Sequence, residues 1–422
     1  MKRIILLTVF AIGALQVFAQ DVKTAKKYLE AKDFTKAKDA IDQAITSDKG
    51  AKDWETWFTK AKIYGALAAN EATKSLVPDA RMQAFEAIKK AFELNNPLAT
   101  FALAQEGYKP VFNLYEGYYG EGATNFNAEK YEDAFDSYKK ANVIGEYINK
   151  NGWALSALDT GLVFMIGASA NNAKKMEDAL TYYTKLVDAK VTNPDYLPAY
   201  KFVVYYYKDK KDDASFNKYL PVAKSIFPNE KYFDDVELEY LDEKGDKDAL
   251  LKKYEEVLAK NPNDYENNFY YGATLFNMIY RDDAQLTNRD ELIGKMEKAF
   301  QKCIELKPEE MDGYLELGKS HYNLAVEFKD KADAIKPATA GKPLAADQQA
   351  TKKDLQAKAE KKINDALPYL EKAYGIMDAI PDKKAGQKAK QRSIAVLLRD
   401  SYNFINKIDK ANFYEKAIDQ LK

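Results

Sequence analysis

The sequence predicts an all-α chain built from repeated pairs of amphipathic helices. Three observations carry that reading. A motif of alanines and aromatics recurs along most of the 422 residues. Each copy has apolar positions at i, i+3/i+4 and i+7, the stripe of a helix with one buried face. Several copies end in an Asn-Pro or Lys-Pro step, at Pro97, Pro262 and Pro308, where proline halts a helix and turns the chain.

The motif is plainest in EKYEDAFDSYKKA (129–141), with Ala134 and Ala141 flanking Phe135 and Tyr138. Related stretches are KDFTKAKDAIDQAI (32–45), MQAFEAIKKAFELNNP (82–97), KKMEDALTYYTKLVDA (174–189), DKDALLKKYEEVLAKNP (246–262), IGKMEKAFQKCIELKP (293–308) and INDALPYLEKAYGIM (363–377). Upstream of each lies a second helical pattern. Ala25 and Tyr28 precede Ala37, and Trp57, Ala61 and Tyr64 precede Ala84 across an insertion. Gly122 lies twelve residues before Ala134, and Gly167 twelve before Ala179; Gly272 and Gly318 open two later units. A small residue in the first helix lets the second approach closely, and the aromatics fill the space beside the crossing. One such pair cannot bury its apolar face alone, so pairs must stack.

The pattern resembles the tetratricopeptide repeat (TPR), a helix-turn-helix unit marked by W-x2-L-G-x2-Y, then A-x3-F, then A and P. YLELGKSHY (314–322) and FYYGATLF (269–276) match the first half; Ala134, Tyr138 and Ala141, and Ala366, Leu370 and Ala373, match the second. The resemblance implies a right-handed TPR-like α-α superhelical solenoid of about eight to nine helical pairs over residues 20–422, with possible sub-arrays 20–230 and 231–422. Three departures from the repeat length are expected. The first helix of one unit overruns toward a loop at Val77–Asp79. Residues 277–294 separate two helices of another unit, and a helical-hairpin insertion occupies about 329–362. The last helix, Lys410–Leu421, is expected to cap the array.

Composition narrows the function. Net charge is −1, and only six of the 64 basic residues are arginine, so no cationic surface suited to nucleic acid is expected. One cysteine, Cys303, allows no intrachain disulfide, and one histidine, His321, leaves little for metal or triad chemistry. His321 fills an aromatic slot and Cys303 a small buried one, so both read as structural. The acidic stretch 233–246 lacks the spacing of a calcium loop and reads as a helix face. No catalytic, cofactor-binding or metal residue is expected, and the chain reads as non-enzymatic.

Residues 1–19 have the tripartite form of a secretory signal peptide. Lys2 and Arg3 precede an apolar run from Ile4 to Leu15, and Ala19 sits at the expected cleavage point. This predicts export to the periplasm, outer membrane or exterior of a Gram-negative bacterium, without stable membrane insertion after cleavage. In TPR arrays the first helix of each pair lines the ligand groove. The resemblance therefore places Tyr119, Phe126, Asn127, Phe164, Asn171, Lys201, Tyr205, Lys208, Phe269, Phe276, Lys319, Tyr322 and Asn323 on it. The Lys/Asn set that clamps a C-terminal carboxylate is not visible at those positions. The expected role is a protein- or peptide-binding scaffold of the cell envelope, with a glycan- or nutrient-binding accessory as the alternative.

Overall fold

The computed structural model describes residues 21–153, 156, 158–281, 286–337 and 343–421. The proposed signal peptide lies outside them. Among the described residues there are twenty α-helices and no strand.

Nine helix pairs follow one another in sequence, each a helix A and a helix B. They are α1 (Asp21–Glu30) with α2 (Phe34–Ile45); α4 (Trp54–Ala69) with α5 (Ala80–Leu94); α7 (Lys109–Asn127) with α8 (Tyr131–Lys150); and α9 (Thr160–Asn172) with α10 (Met176–Asp188). Then come α11 (Leu197–Asp209) with α12 (Asp213–Ile226); α13 (Lys231–Lys244) with α14 (Lys247–Lys260); and α15 (Tyr265–Tyr280) with α16 (Arg289–Leu306). The last two are α17 (Met311–Asp333) with α18 (Ala346–Asp378), and α19 (Ala385–Phe404) with α20 (Ile408–Gln420). Two short helices fall between pairs, α3 (Asp48–Ala51) and α6 (Asn96–Gln105). The chain divides into two compact units that meet in sequence at Phe233 and Asp234, inside α13.

Helix B repeats one buried triplet at i, i+4 and i+7. The set runs Ala37-Ile41-Ala44, Ala84-Ile88-Ala91, Ala134-Tyr138-Ala141, Ala179-Tyr183-Leu186, Phe216-Leu220-Ala223, Leu250-Tyr254-Val257, Met296-Phe300-Cys303 and Ala366-Leu370-Ala373. The glycine of helix A faces the middle member of this triplet. A Cβ added at Gly122 would stand 2.7 Å from the Tyr138 ring, and at Gly167 2.7 Å from the Tyr183 ring. The same 2.7 Å separates Gly272 from Phe300 and Gly318 from Leu370. The sequence reading put the alanine at the crossing and the aromatic beside it. Instead the ring lies on the bare helix backbone, and the alanines on either side let the two helices close around it.

Adjacent pairs are joined by a second recurrent contact. The residue after the middle buried one of helix B is acidic in three pairs, and it accepts a hydrogen bond from a tyrosine on the next helix A. Tyr64 donates to Asp42 (2.7 Å), Tyr271 to Glu255 (2.8 Å) and Tyr402 to Glu371. Such bonds to an ionised acceptor are stronger than neutral ones.

The irregular regions differ from expectation. α4 does not overrun. It ends at Ala69, where Thr73 Oγ1 bonds the Leu67 carbonyl, and Asn70 Oδ1 accepts from Ala72 N in a turn. The following connection tucks Val77 into the core. Pro97 does end α5, but it also sits in the first turn of α6. The side chain of Asn95 caps that helix through Leu98 N at 3.3 Å. In the region read as a hairpin insertion, the two helices of one pair run on. α17 reaches Asp333 and α18 begins at Ala346, with Ala332 and Ala359 buried between them. Part of the intervening loop, 338–342, lies outside the described residues. α20 spans Ile408–Gln420, and its surface is less polar than a simple cap, with Ile408 and Phe413 exposed.

The glycine contact makes opposite predictions at two helical sites. Gly167→Ala should destabilise, because overpacking against Tyr183 costs about 1–3 kcal/mol and outweighs the helix-propensity gain. Gly375→Ala in α18, where a Cβ meets nothing within 4 Å, should stabilise by about 0.5–1 kcal/mol. Urea unfolding of both variants checks the pair of signs.

Candidate interaction surface

The helix A segments of the first unit place their aromatic side chains in one connected ladder. It starts on α7, where Tyr115 and Tyr119 have ring centroids 6.3 Å apart, and Tyr119 meets Tyr138 edge-on at 5.5 Å. Phe164 of α9 is flanked by Tyr183 at 5.8 Å and by Tyr196 at 5.3 Å. Tyr183 continues to Phe202 of α11 at 5.2 Å, and Phe202 to Tyr206 at 5.9 Å. The Tyr115 hydroxyl, bonded to Asp159 at the start of α9, links the first group to the second, and the Tyr196 hydroxyl lies 3.1 Å from Thr160 Oγ1 of the same helix.

Polar tips hold the ladder in place. Tyr115 donates to Asp159, whose other oxygen caps α9 through Leu162 N at 2.9 Å. Tyr206 donates to Glu177 of α10. The Glu177 bond, followed by burial, pushes the Tyr206 phenol up to about 12. Burial and Asp159 likewise raise Tyr115, and burial, then Asp159 and Tyr196, raise Tyr119. These phenols stay protonated at neutral pH and act as hydrogen-bond donors. Most of the ladder is half-buried, but Tyr205 stands 51% exposed beside it on α11.

The sequence-predicted groove residues separate into two groups. In the first unit Tyr119 and Phe164 are in the ladder, and Phe126 packs edge-on against Tyr131 at 5.4 Å. Asn127 is exposed at the end of α7, and Asn171 is half-buried on α9. Lys201 pairs with Glu230 at 3.0 Å and lies over the Tyr232 ring at 5.0 Å. Lys208 is buried, so it is not a surface residue of this face.

In the second unit the aromatics serve the core. Phe276 is buried and packs on Tyr280 at 4.9 Å; Phe269 lies against Phe300 at 6.0 Å. Tyr322 packs on the core cluster around Ile394 and Leu398. Lys319 pairs with Glu316 at 2.7 Å, and Asn323 is half-buried. Exposed rings here include Tyr270, at 56%, one position from the predicted Phe269, and Phe413. Tyr115, Tyr196, Phe202 and Tyr206 are not among the predicted groove residues, although the first, third and fourth lie in the aromatic-rich stretches 113–126 and 200–211. Tyr196 belongs to a 3-10 turn (Pro194–Tyr196) rather than to a helix, so no helical period marks it.

His321 and Cys303 occupy structural positions. Cys303 is buried with its thiol directed at the Tyr265 carbonyl (3.8 Å), and burial pushes it up to about 12. His321 is buried among Glu297 of α16 and Lys361, Lys362, Asp365 and Tyr369 of α18. Its Nδ1 stands 3.4 Å from Glu297 Oε1 and 3.3 Å from Lys362 Nζ. The acidic stretch 233–246 falls in α13 (Lys231–Lys244), with Val236 and Leu238 buried and Asp234 bonded to Lys253 and Lys260.

Repeated A/B pairs, a glycine of helix A under a large side chain of helix B, and alanine-flanked B stripes define the architecture. The fold is an all-α array of TPR-like helix pairs. No family model matches this chain, and no curated protein matches it. Solved structures similar to it include a TPR repeats protein from Bacteroides fragilis, 18% identical over 67% of this chain and 98% of that one, with a TM-score of 0.27. The P58(IPK) TPR domain is 13% identical over 87% and 99%, with a TM-score of 0.24. The human IFIT1 dimer with PPP-AAAA is 15% identical over 85% and 90%, with a TM-score of 0.25. Among the described residues no helix is long and apolar enough to cross a membrane.

The environment of His321 predicts a pH effect. Burial, reinforced by Lys362, holds its pKa below the usual 6.5, with Glu297 opposing. The folded state therefore disfavours the proton, and the stability this confers is present above pH 6.5 and lost as pH falls through the lowered value. His321→Phe, which keeps an aromatic in the slot, should remove that part of the acid slope between pH 7 and 5. Urea midpoints across that range provide the check.

Proposed function

We propose that this chain is a non-catalytic interaction scaffold that binds an extended segment of a partner protein along the aromatic ladder of its first unit. The observation that carries the reading is the row of half-buried rings on α7, α9 and α11, with α7 tied to α9 by the Tyr115–Asp159 bond and Tyr205 exposed on α11. Half-buried tyrosines offer broad apolar contact with a polar tip, a combination enriched at recognition surfaces. Because their hydroxyls are already fixed by Asp159, Thr160 and Glu177, little side-chain entropy is lost when a partner docks.

Peptide is favoured over glycan by the ring geometry. Sugar stacking needs a free aromatic face, and Phe164 is flanked on two sides by Tyr183 and Tyr196. An extended backbone can instead use ring edges and hydroxyls. The scaffold would work in the Gram-negative envelope, reached through cleavage of residues 1–19. Support for export is the Lys2-Arg3 start, the Ile4–Leu15 apolar run and Ala19.

Peptides selected on the full mature chain from a random library should bind wild type and lose about tenfold or more in affinity on Tyr205→Ala. The unfolding midpoint should stay within error, because Tyr205 is exposed. An oligosaccharide panel should leave the melting temperature unchanged. Selected peptides that bind Tyr205→Ala and Tyr119→Ala as they bind wild type would overturn the site. N-terminal sequencing of envelope-fraction protein should begin at Gln20, and a start at Met1 would contradict export.

A further inference from the structure

α7 carries three glycines, Gly117, Gly120 and Gly122, although glycine is a poor helix former. Two have a packing reason. Gly122 lies under the Tyr138 ring, and a Cβ at Gly117 would stand 2.5 Å from Arg81 Nε. Gly120 has none, since a Cβ there meets nothing within 4 Å. It is exposed on the lining of a cleft of about 810 Å³ formed mainly by α7 and the connection from α4 to α5. That volume falls in the range of ligand sites. The cleft is separate from the ladder residues of α7, Tyr115 and Tyr119.

Its cations are already satisfied. The Arg81 guanidinium bonds Glu121 and the Ala68 carbonyl and sits over the Tyr118 ring at 5.6 Å. Lys140 pairs with Asp79 at 2.8 Å over the same ring at 5.5 Å, and the Tyr118 hydroxyl donates to Asp79. Lys74 pairs with Glu71 at 2.6 Å. Glu116 is the lining acid left over: it is exposed, forms no ion pair among the described residues, and sits one helical turn from Gly120. With three cations and four acids, the lining carries one unmatched negative charge.

We propose that this cleft binds a cationic group on a flexible stem, a lysine or arginine side chain of a partner's segment. The stem crosses the bare backbone at Gly120 and the charged head pairs with Glu116. Arg81 and Lys140 are already held by Glu121 and Asp79, which leaves Glu116 as the acid open to the incoming cation. The site is independent of the aromatic ladder, so Tyr205→Ala should leave it intact.

Fluorescence anisotropy with labelled, otherwise identical Lys-rich and Glu-rich peptides on the mature chain tests it. Without Lys2 and Arg3 the mature chain has 62 basic against 65 acidic residues, a net charge of −3, which gives little non-specific attraction for cations. The Lys-rich peptide should bind at least tenfold tighter than the Glu-rich one. Gly120→Leu should raise or preserve the melting temperature yet weaken binding at least tenfold, and Glu116→Gln should weaken it severalfold. Competition by putrescine at concentrations matching the peptide would retain the cation site and assign it to a free diamine. Equal binding of both peptides, or unchanged binding by Gly120→Leu together with Glu116→Gln, would overturn the proposal.

Discussion

The contact on which the molecule depends is a large side chain lying on bare helix backbone. At Gly122, Gly167, Gly272 and Gly318 the missing Cβ lets the middle residue of the helix B stripe approach far closer than any side chain would allow. Glycine costs about 1 kcal/mol relative to alanine in each helix, and burial of a tyrosine, phenylalanine or leucine contributes about 1.5–3 kcal/mol. The exchange is favourable wherever the ring is fully covered, as Tyr138 and Phe300 are. It also fixes the pitch of each pair, since helices this close admit one crossing. The phenol–carboxylate bonds of Tyr64, Tyr271 and Tyr402 then tie that pair to the next.

The same chemistry produces the surface. A ring that covers a glycine also meets an aromatic of its own helix A, as Tyr138 meets Tyr119 and Tyr183 meets Phe164, and Tyr183 reaches Phe202 of the next helix A as well. The ladder is thus the exposed margin of the packing contact, extended by Tyr115, Tyr196 and Tyr206. This explains why thirty tyrosines occur in one chain. Tyrosine can fill a crossing and still end in a hydroxyl that needs a polar partner, and those partners stand on neighbouring elements. In the second unit Phe276 and Tyr322 turn inward, and fewer rings reach the surface.

Helix pairing was readable in the sequence because its signal is local and repeated. The spacing from Gly122 to Ala134 and from Gly167 to Ala179 reports the crossing directly, and the i, i+4, i+7 stripe reports burial. Which residue covers the glycine was not readable, because that depends on the angle between two helices and not on either alone. Lys208 and Phe276 show a related limit. Their register marks them as facing outward, but neighbouring elements bury them. α6 was hidden because Pro97 signals both an end and a beginning, and the capping role of Asn95 decides between them. Tyr196 and the cleft at Gly120 arise where connections between helices fold back, which periodicity does not describe.

If each pair is held by its own glycine contact and tied only to its neighbours, a defect should spread locally. Hydrogen exchange of Gly272→Leu, read peptide by peptide, measures this. Protection should fall most in α15 and α16, less in α14 and α17, and remain at wild-type levels in α1 to α8. A uniform loss of protection across all helices, or none at α15 and α16, would contradict it.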